Sequence, residues 1–94
     1  MIVEWAGPAL DDLERIRAHL GADNRHARKV IDQVFAAVES LEVTPWIGRP
    51  GRRPTTRELV LVAGPHTVAY RVVADAIQVL RVLHTSRRWP RRLS

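Results

Sequence analysis

Four histidines, ten arginines gathered in the second half of the chain and the absence of cysteine define the chemistry open to this sequence. Acid–base chemistry at a phosphodiester takes a base for the attacking oxygen, an acid for the leaving group and cations around the crowded phosphate. Arg71, Arg81 and His84 could supply these, with His66 on the same concave sheet face. His84 stands where an apolar segment meets a basic tail, and histidine is the side chain whose charge changes near neutral pH. The simpler reading is that His84 caps a strand end, because spacing fixes no second titratable group beside it. His19 and His26 read as surface residues. The histidines lack metal-ligand spacing, and without cysteine neither disulfides nor thiolate metal sites can form. No cofactor is expected.

The arginines point to binding. Arg71 and Arg81 interrupt segments otherwise made of Val, Leu and Ile. Each must either pair internally, with Glu58 the available carboxylate, or face a partner. Arg49, Arg52 and Arg53 sit in a stretch broken by Gly48, Pro50, Gly51 and Pro54, where regular structure stops. Together with Arg87, Arg88 and Trp89 of the tail they are the candidate target-binding residues, since arginine and aromatic side chains dominate binding hot spots. Trp5 and Trp46 read as packing residues, and Tyr70 as a core residue with its hydroxyl at the edge. Charge supports this division. Residues 1–47 carry eight acids and five bases, whereas residues 48–94 carry two acids and ten arginines, for a net charge of +5. A basic half predicts an acidic partner, either nucleic acid or an acidic protein segment.

The elements that must position these residues follow from periodicity. Ile2 to Trp5 reads as a strand stopped by Gly7-Pro8, and proline suits the first turn of the helix that follows. Leu10, Leu13, Ile16 or Arg17, and Leu20 mark its apolar face, with Asp11, Asp12 and Glu14 near its positive end and Gly21 as a stop. A second helix, capped by Asp23 or Asn24, buries Ala27, Val30, Ile31, Val34, Val38 and Leu41, and Thr44-Pro45 ends it. So short a connection predicts an antiparallel helix hairpin. The period then changes to that of strands at 57–62, 67–73 and 77–83, divided by Gly64-Pro65 and Ala74-Asp75-Ala76. In the last strand Ile77, Val79, Arg81 and Leu83 alternate with Gln78, Leu80, Val82 and His84, which suits cover on one side and a partner on the other. The expectation is an α+β fold, β-α-α-β-β-β, with the hairpin packed on one face of a mainly antiparallel sheet.

Ninety-four residues, 46% of them hydrophobic, make one globular domain over 1–94, with a basic tail from 85 to 94. The N-terminus lacks a signal-peptide pattern, and no apolar stretch approaches the roughly 20 residues of a membrane span. A cytoplasmic protein with no membrane partner is expected.

Five segments in this order resemble the RelE/ParE toxin superfamily of type II toxin–antitoxin systems. They are Trp5-Ala6-Gly7-Pro8-Ala9-Leu10-Asp11-Asp12-Leu13-Glu14, Gly48-Arg49-Pro50-Gly51-Arg52, Thr56-Arg57-Glu58-Leu59-Val60, Ala69-Tyr70-Arg71-Val72 and Val79-Leu80-Arg81-Val82-Leu83-His84. The resemblance implies a toxin held inactive by a cognate antitoxin in a hetero-oligomer. RelE-like members cut mRNA on the ribosome and ParE-like members poison DNA gyrase. RelE-like nucleases place lysines on the first strand of the meander, an arginine on the next, and an arginine and a tyrosine near the C-terminus. Here those strand positions fall at or near Glu58, Val60 and Thr67, and the tail has no tyrosine. A carboxylate in place of a phosphate-facing lysine would repel RNA, so the chain is closer to ParE and DNA gyrase is the expected target. The alternative is a ribosome-dependent mRNA endoribonuclease. A bare nucleic-acid-binding module is a third reading, resting on charge alone. An antitoxin with an acidic amphipathic segment would fold onto an apolar groove and a basic sheet edge, with Leu10, Leu13, Arg57, Arg71 and Arg81 as contact candidates.

Overall fold

A computed structural model describes residues 1–20, 25–61, 64–86 and 89–91. In chain order the elements are β1 (Ile2–Trp5), α1 (Gly7–Leu20), α2 (Arg25–Leu41), β2 (Arg49–Pro50), β3 (Arg57–Val60), β4 (His66–Val73) and β5 (Ala76–His84). The sheet order is β1-β5-β4-β3-β2, antiparallel except that β1 runs parallel to β5. The two helices pack on one face, as the periodicity indicates. The stop at Gly21 and the caps at Asp23 and Asn24 lie outside the described residues. β2 has no counterpart in the sequence reading, because two residues containing a proline carry no period. Arg49 and Pro50 nonetheless pair with Glu58 and Arg57.

Helix α2 is amphipathic as expected, with Ala27, Val30, Val34, Val38 and Leu41 buried at spacings of three and four. Past its end, the Thr44 amide and hydroxyl both donate to the Ser40 carbonyl, at 3.0 and 3.1 Å, occupying an acceptor the helix leaves open. Helix α1 departs from the expected face. Ala9 is fully buried while Leu10 is 51% exposed, so the inward stripe is Ala9, Asp12, Leu13 and Ile16. Its first turn contains no acid, and Asp12 points into the protein rather than serving the helix dipole.

The core between helices and sheet joins Ala9, Leu13, Val34 and Leu41 to Val68, Tyr70, Ile77 and Val79. A register skip between Ala69 and Tyr70 leaves Leu80 opposite no residue, so the alternation of β5 changes phase there. Ile77 and Val79 before the skip and Val82 after it all join the helix-side core. Leu80 instead packs with Ala69, Leu83 and Trp89 in a second cluster. The apolar residues held back for a partner are therefore covered in part by the chain's own tail.

Tyr70 shows how the core fixes the α2–β3 connection. Its ring is fully buried, its hydroxyl donates to the Pro45 carbonyl at 2.8 Å and accepts from the Gly48 amide at 2.9 Å. A Cβ on Gly48 would stand 2.5 Å from that hydroxyl oxygen and 2.7 Å from the ring. Gly48→Ala should therefore cost about 1–3 kcal/mol through overpacking. A thermal melt would show this as a drop of about 4–8 °C per kcal/mol, and an unchanged melt would disprove the contact.

Candidate functional site

The residues singled out for chemistry divide into those the fold consumes and those it presents. Arg81 belongs to the first group. Its Nε and Nη2 donate to Asp12 at 2.7 and 2.9 Å, and Asp12 also accepts from the Val82 amide at 2.9 Å and from Arg15 at 3.1 Å. Asp12 is 2% exposed. Hydrogen bonding to Asp12 raises the Arg81 guanidinium above the usual arginine range. The partner of Arg81 is thus Asp12 of α1 and not Glu58. Arg71 is held differently, donating from Nε to Gln78 across the β4–β5 ladder at 2.6 Å.

Glu58 serves the opposite end of the sheet. Buried on β3, it accepts from Arg49 Nη2 at 3.2 Å and from the Arg52 amide at 2.7 Å, with Arg52 Nε at 3.5 Å. It therefore organises the loop after β2. Arg52 then lies over the Trp89 ring, 3.9 Å from its centroid, and donates to the Thr85 carbonyl at 2.9 Å. Arg53 donates to the Pro90 carbonyl through Nε at 3.1 Å and Nη2 at 2.8 Å. Trp89 is buried, and its indole N–H donates to the His84 carbonyl at 3.1 Å. Arg52, Arg53 and Trp89, candidates for target contact, also clamp the tail to the loop, with Trp89 buried and Arg52 still exposed. Arg87 and Arg88 lie outside the described residues.

What the fold presents is Trp46. The expectation of a packing residue fails, since Trp46 is 61% and its neighbour Ile47 62% exposed. Arg57 lies over the Trp46 ring at 4.8 Å and donates to the carbonyls of Trp46 and Gly48 at 3.1 and 2.7 Å. Arg49, although it touches Glu58, leaves more than half of its side chain in solvent. An aromatic ring, an aliphatic side chain and cations are thus held outward on a loop that Tyr70 pins from beneath. Trp5, by contrast, does pack, its ring 5.2 Å from that of Phe35. Of the remaining candidates, Leu10 is available on α1 and Leu13 is buried in the core.

The histidines are more concentrated than their spacing suggests. His66 and His84 are register partners with ring centroids 5.8 Å apart, and all four histidines line one cavity between α1, the start of α2 and the end of the sheet. His84 accepts at Nδ1 from the Ser86 amide at 3.3 Å, with the Ser86 hydroxyl 3.0 Å from the same nitrogen. This matches the local role expected for it. Among the described residues no group of three or more His, Asp or Glu could hold a metal ion.

Comparison with known proteins places this arrangement. The family model of the ParE toxin of the type II toxin–antitoxin system parDE matches residues 3–89. The chain belongs to the ParE toxin family. Y4kP of Sinorhizobium fredii, provisionally named a toxin, is 37% identical over 89 residues, covering 94% of this chain and 92% of its own. A solved chain from the chromosomal ParDE TA system of P. aeruginosa superposes with a TM-score of 0.81 at 28% identity, covering 92% of this chain and 97% of that one. The ParE-like side of the superfamily, and the two-helix, mainly antiparallel fold expected for it, are therefore established.

Proposed function

We propose that this ParE-family toxin stops growth by binding and inhibiting DNA gyrase, and that a cognate antitoxin with an acidic amphipathic segment holds it inactive. The observation that carries the binding reading is the outward-held Trp46–Ile47 pair flanked by Arg49 and Arg57. Large exposed apolar side chains beside arginines are the composition of a binding hot spot. The residues a nuclease would enlist are occupied, Arg81 by Asp12, Arg71 by Gln78 and His84 by Ser86. Gyrase as the target rests on kinship with ParE-like toxins.

For the antitoxin, the free edge of β1 and the helix hairpin offer apolar contacts at Ile2 (62% exposed), Leu10 and Phe35. The acidic charge of that segment would be matched by the basic half of the chain, where residues 48–94 carry two acids and ten arginines. Purified toxin added to gyrase is expected to abolish supercoiling, and co-expressed antitoxin to restore growth. Intact supercoiling at excess toxin would defeat the gyrase reading. In-frame mRNA cuts in a translating extract, lost in His84→Ala, would replace it with the nuclease reading.

A further inference from the structure

Three of the five bases in residues 1–47 fall within residues 25–29, although acids outnumber bases eight to five in that half of the chain. They are Arg25, Arg28 and Lys29, on the first two turns of α2, and all three are exposed. Spacings of three and four put their side chains on one face of the helix, about 5–6 Å apart at Cβ. Elsewhere in the fold arginines are committed: Arg17 to Glu14, Arg49 and Arg52 to Glu58, Arg53 to the Pro90 carbonyl and Arg81 to Asp12. Among the described residues no ion pair or side-chain hydrogen bond holds Arg25, Arg28 or Lys29.

The same face forms an open groove along α2, lined among the described residues by the three cations, Asp32, Gln33 and Ala36. Asp32 is the single carboxylate of that lining, so the groove keeps a net positive charge. Its chemistry differs from that of the Trp46 loop. None of these lining side chains is aromatic and the apolar one is an alanine, so an amphipathic protein segment finds no seat for its anchors. Single-stranded nucleic acid is held by bases stacked on aromatic rings, which this lining also lacks. A row of cations beside an amide donor is instead the set that contacts the phosphates of a duplex, positioning a protein without reading sequence. Helix α2 is about 25 Å long, and the groove begins at the end opposite the Trp46 loop. A contact here is thus distinct from the one proposed for that loop.

We propose that the Arg25–Arg28–Lys29 face of α2 binds the phosphate backbone of duplex DNA, independently of base sequence. The contact is made by side chains along the outward face of the helix. Three phosphates neutralised in this way contribute about −2 to −3 to the slope of log affinity against log salt. Asp32 opposes the phosphates, so its removal strengthens binding. The inference stands apart from gyrase as the target, because its ligand is free duplex.

Fluorescence anisotropy of a labelled duplex of about 20 base pairs, titrated with the purified full chain between about 50 and 200 mM salt, tests this. Combining Arg25→Gln, Arg28→Gln and Lys29→Gln is expected to make the salt slope shallower by about 2–3 and to weaken binding at the lower salt by about tenfold or more. The melting temperature of that variant should stay at the wild-type value, since all three positions are exposed. Asp32→Asn should tighten binding by about threefold. Single strands of equal length should bind more weakly than the duplex. Wild-type affinity and slope in the triple variant would overturn the assignment of this face. Polyglutamate displacing the duplex at equal charge would overturn DNA in favour of an acidic protein segment, and single strands binding as tightly as the duplex would overturn the duplex. Absence of binding at the lower salt would overturn the site altogether.

Discussion

Asp12→Ala is expected to lower the unfolding free energy by about 3–5 kcal/mol, because it strands a largely buried guanidinium and a backbone amide together. The Arg81 side chain is 16% exposed, and the Val82 amide has its acceptor in Asp12 Oδ2. A domain of this size commands about 5–15 kcal/mol in all, so the variant should be marginal, its melting temperature down by more than about 10 °C. Asp12→Asn keeps an acceptor for Val82 while losing the charge, and should fall between. The pair Asp12→Asn with Arg81→Met should lose less than Asp12→Ala alone, since replacing both partners of a buried ion pair is far cheaper than removing one. Denaturant melts check all three, and an Asp12→Ala chain within about 1 kcal/mol of wild type would sink the account.

The pH dependence of this pair follows from its direction. The Arg81 pKa is raised in the folded protein, chiefly by its hydrogen bonds to Asp12. A raised pKa gives stability that is complete below the unfolded arginine value and lost only as pH rises beyond it. The Asp12-dependent difference should therefore be the same at about pH 7 and about pH 9. Tyr70 has the same sign for a different reason. Burial pushes its hydroxyl above the usual tyrosine value, so its contribution is present through neutrality and is lost in strong alkali.

How far the sequence reveals such features depends on their range. The helices and meander strands were legible because each repeats its signal over many residues, as Val30, Val34, Val38 and Leu41 do along α2. Family kinship was legible because short segments recur in order. The Arg81–Asp12 pair was not, since its members lie 69 residues apart and the sequence pointed to Glu58 on the neighbouring strand as the carboxylate. One signal was present: Asp12 falls between Ala9, Leu13 and Ile16 on the helical stripe, where a carboxylate demands a partner. The convergence of four histidines left no local trace, because it arises where separate elements end. Residue type also misled. Trp46 reads as a packing residue and is exposed, whereas Trp89 reads as a contact residue and is buried against Ala69 and Leu80 beneath Arg52.

Those two tryptophans give the most direct test of the binding face. Trp46→Ala should leave the melt within about 1 kcal/mol of wild type, because the ring is mostly in solvent and its stacking with Arg57 contributes little there. Loss of a hot-spot tryptophan costs about 2–4 kcal/mol of binding, so inhibition of gyrase should weaken by about 30-fold or more. Growth arrest should fall with it, and Trp46→Phe should retain most of the effect. Trp89→Ala should do the reverse in kind, lowering the melt by opening the Ala69–Leu80 cluster and releasing the tail. A Trp46→Ala toxin that folds and inhibits supercoiling at the wild-type concentration would remove this loop from the target interface. The reading would then have to move to the surfaces of α1, α2 and β1 assigned above to the antitoxin, and toxin bound to antitoxin would be unable to touch gyrase at all.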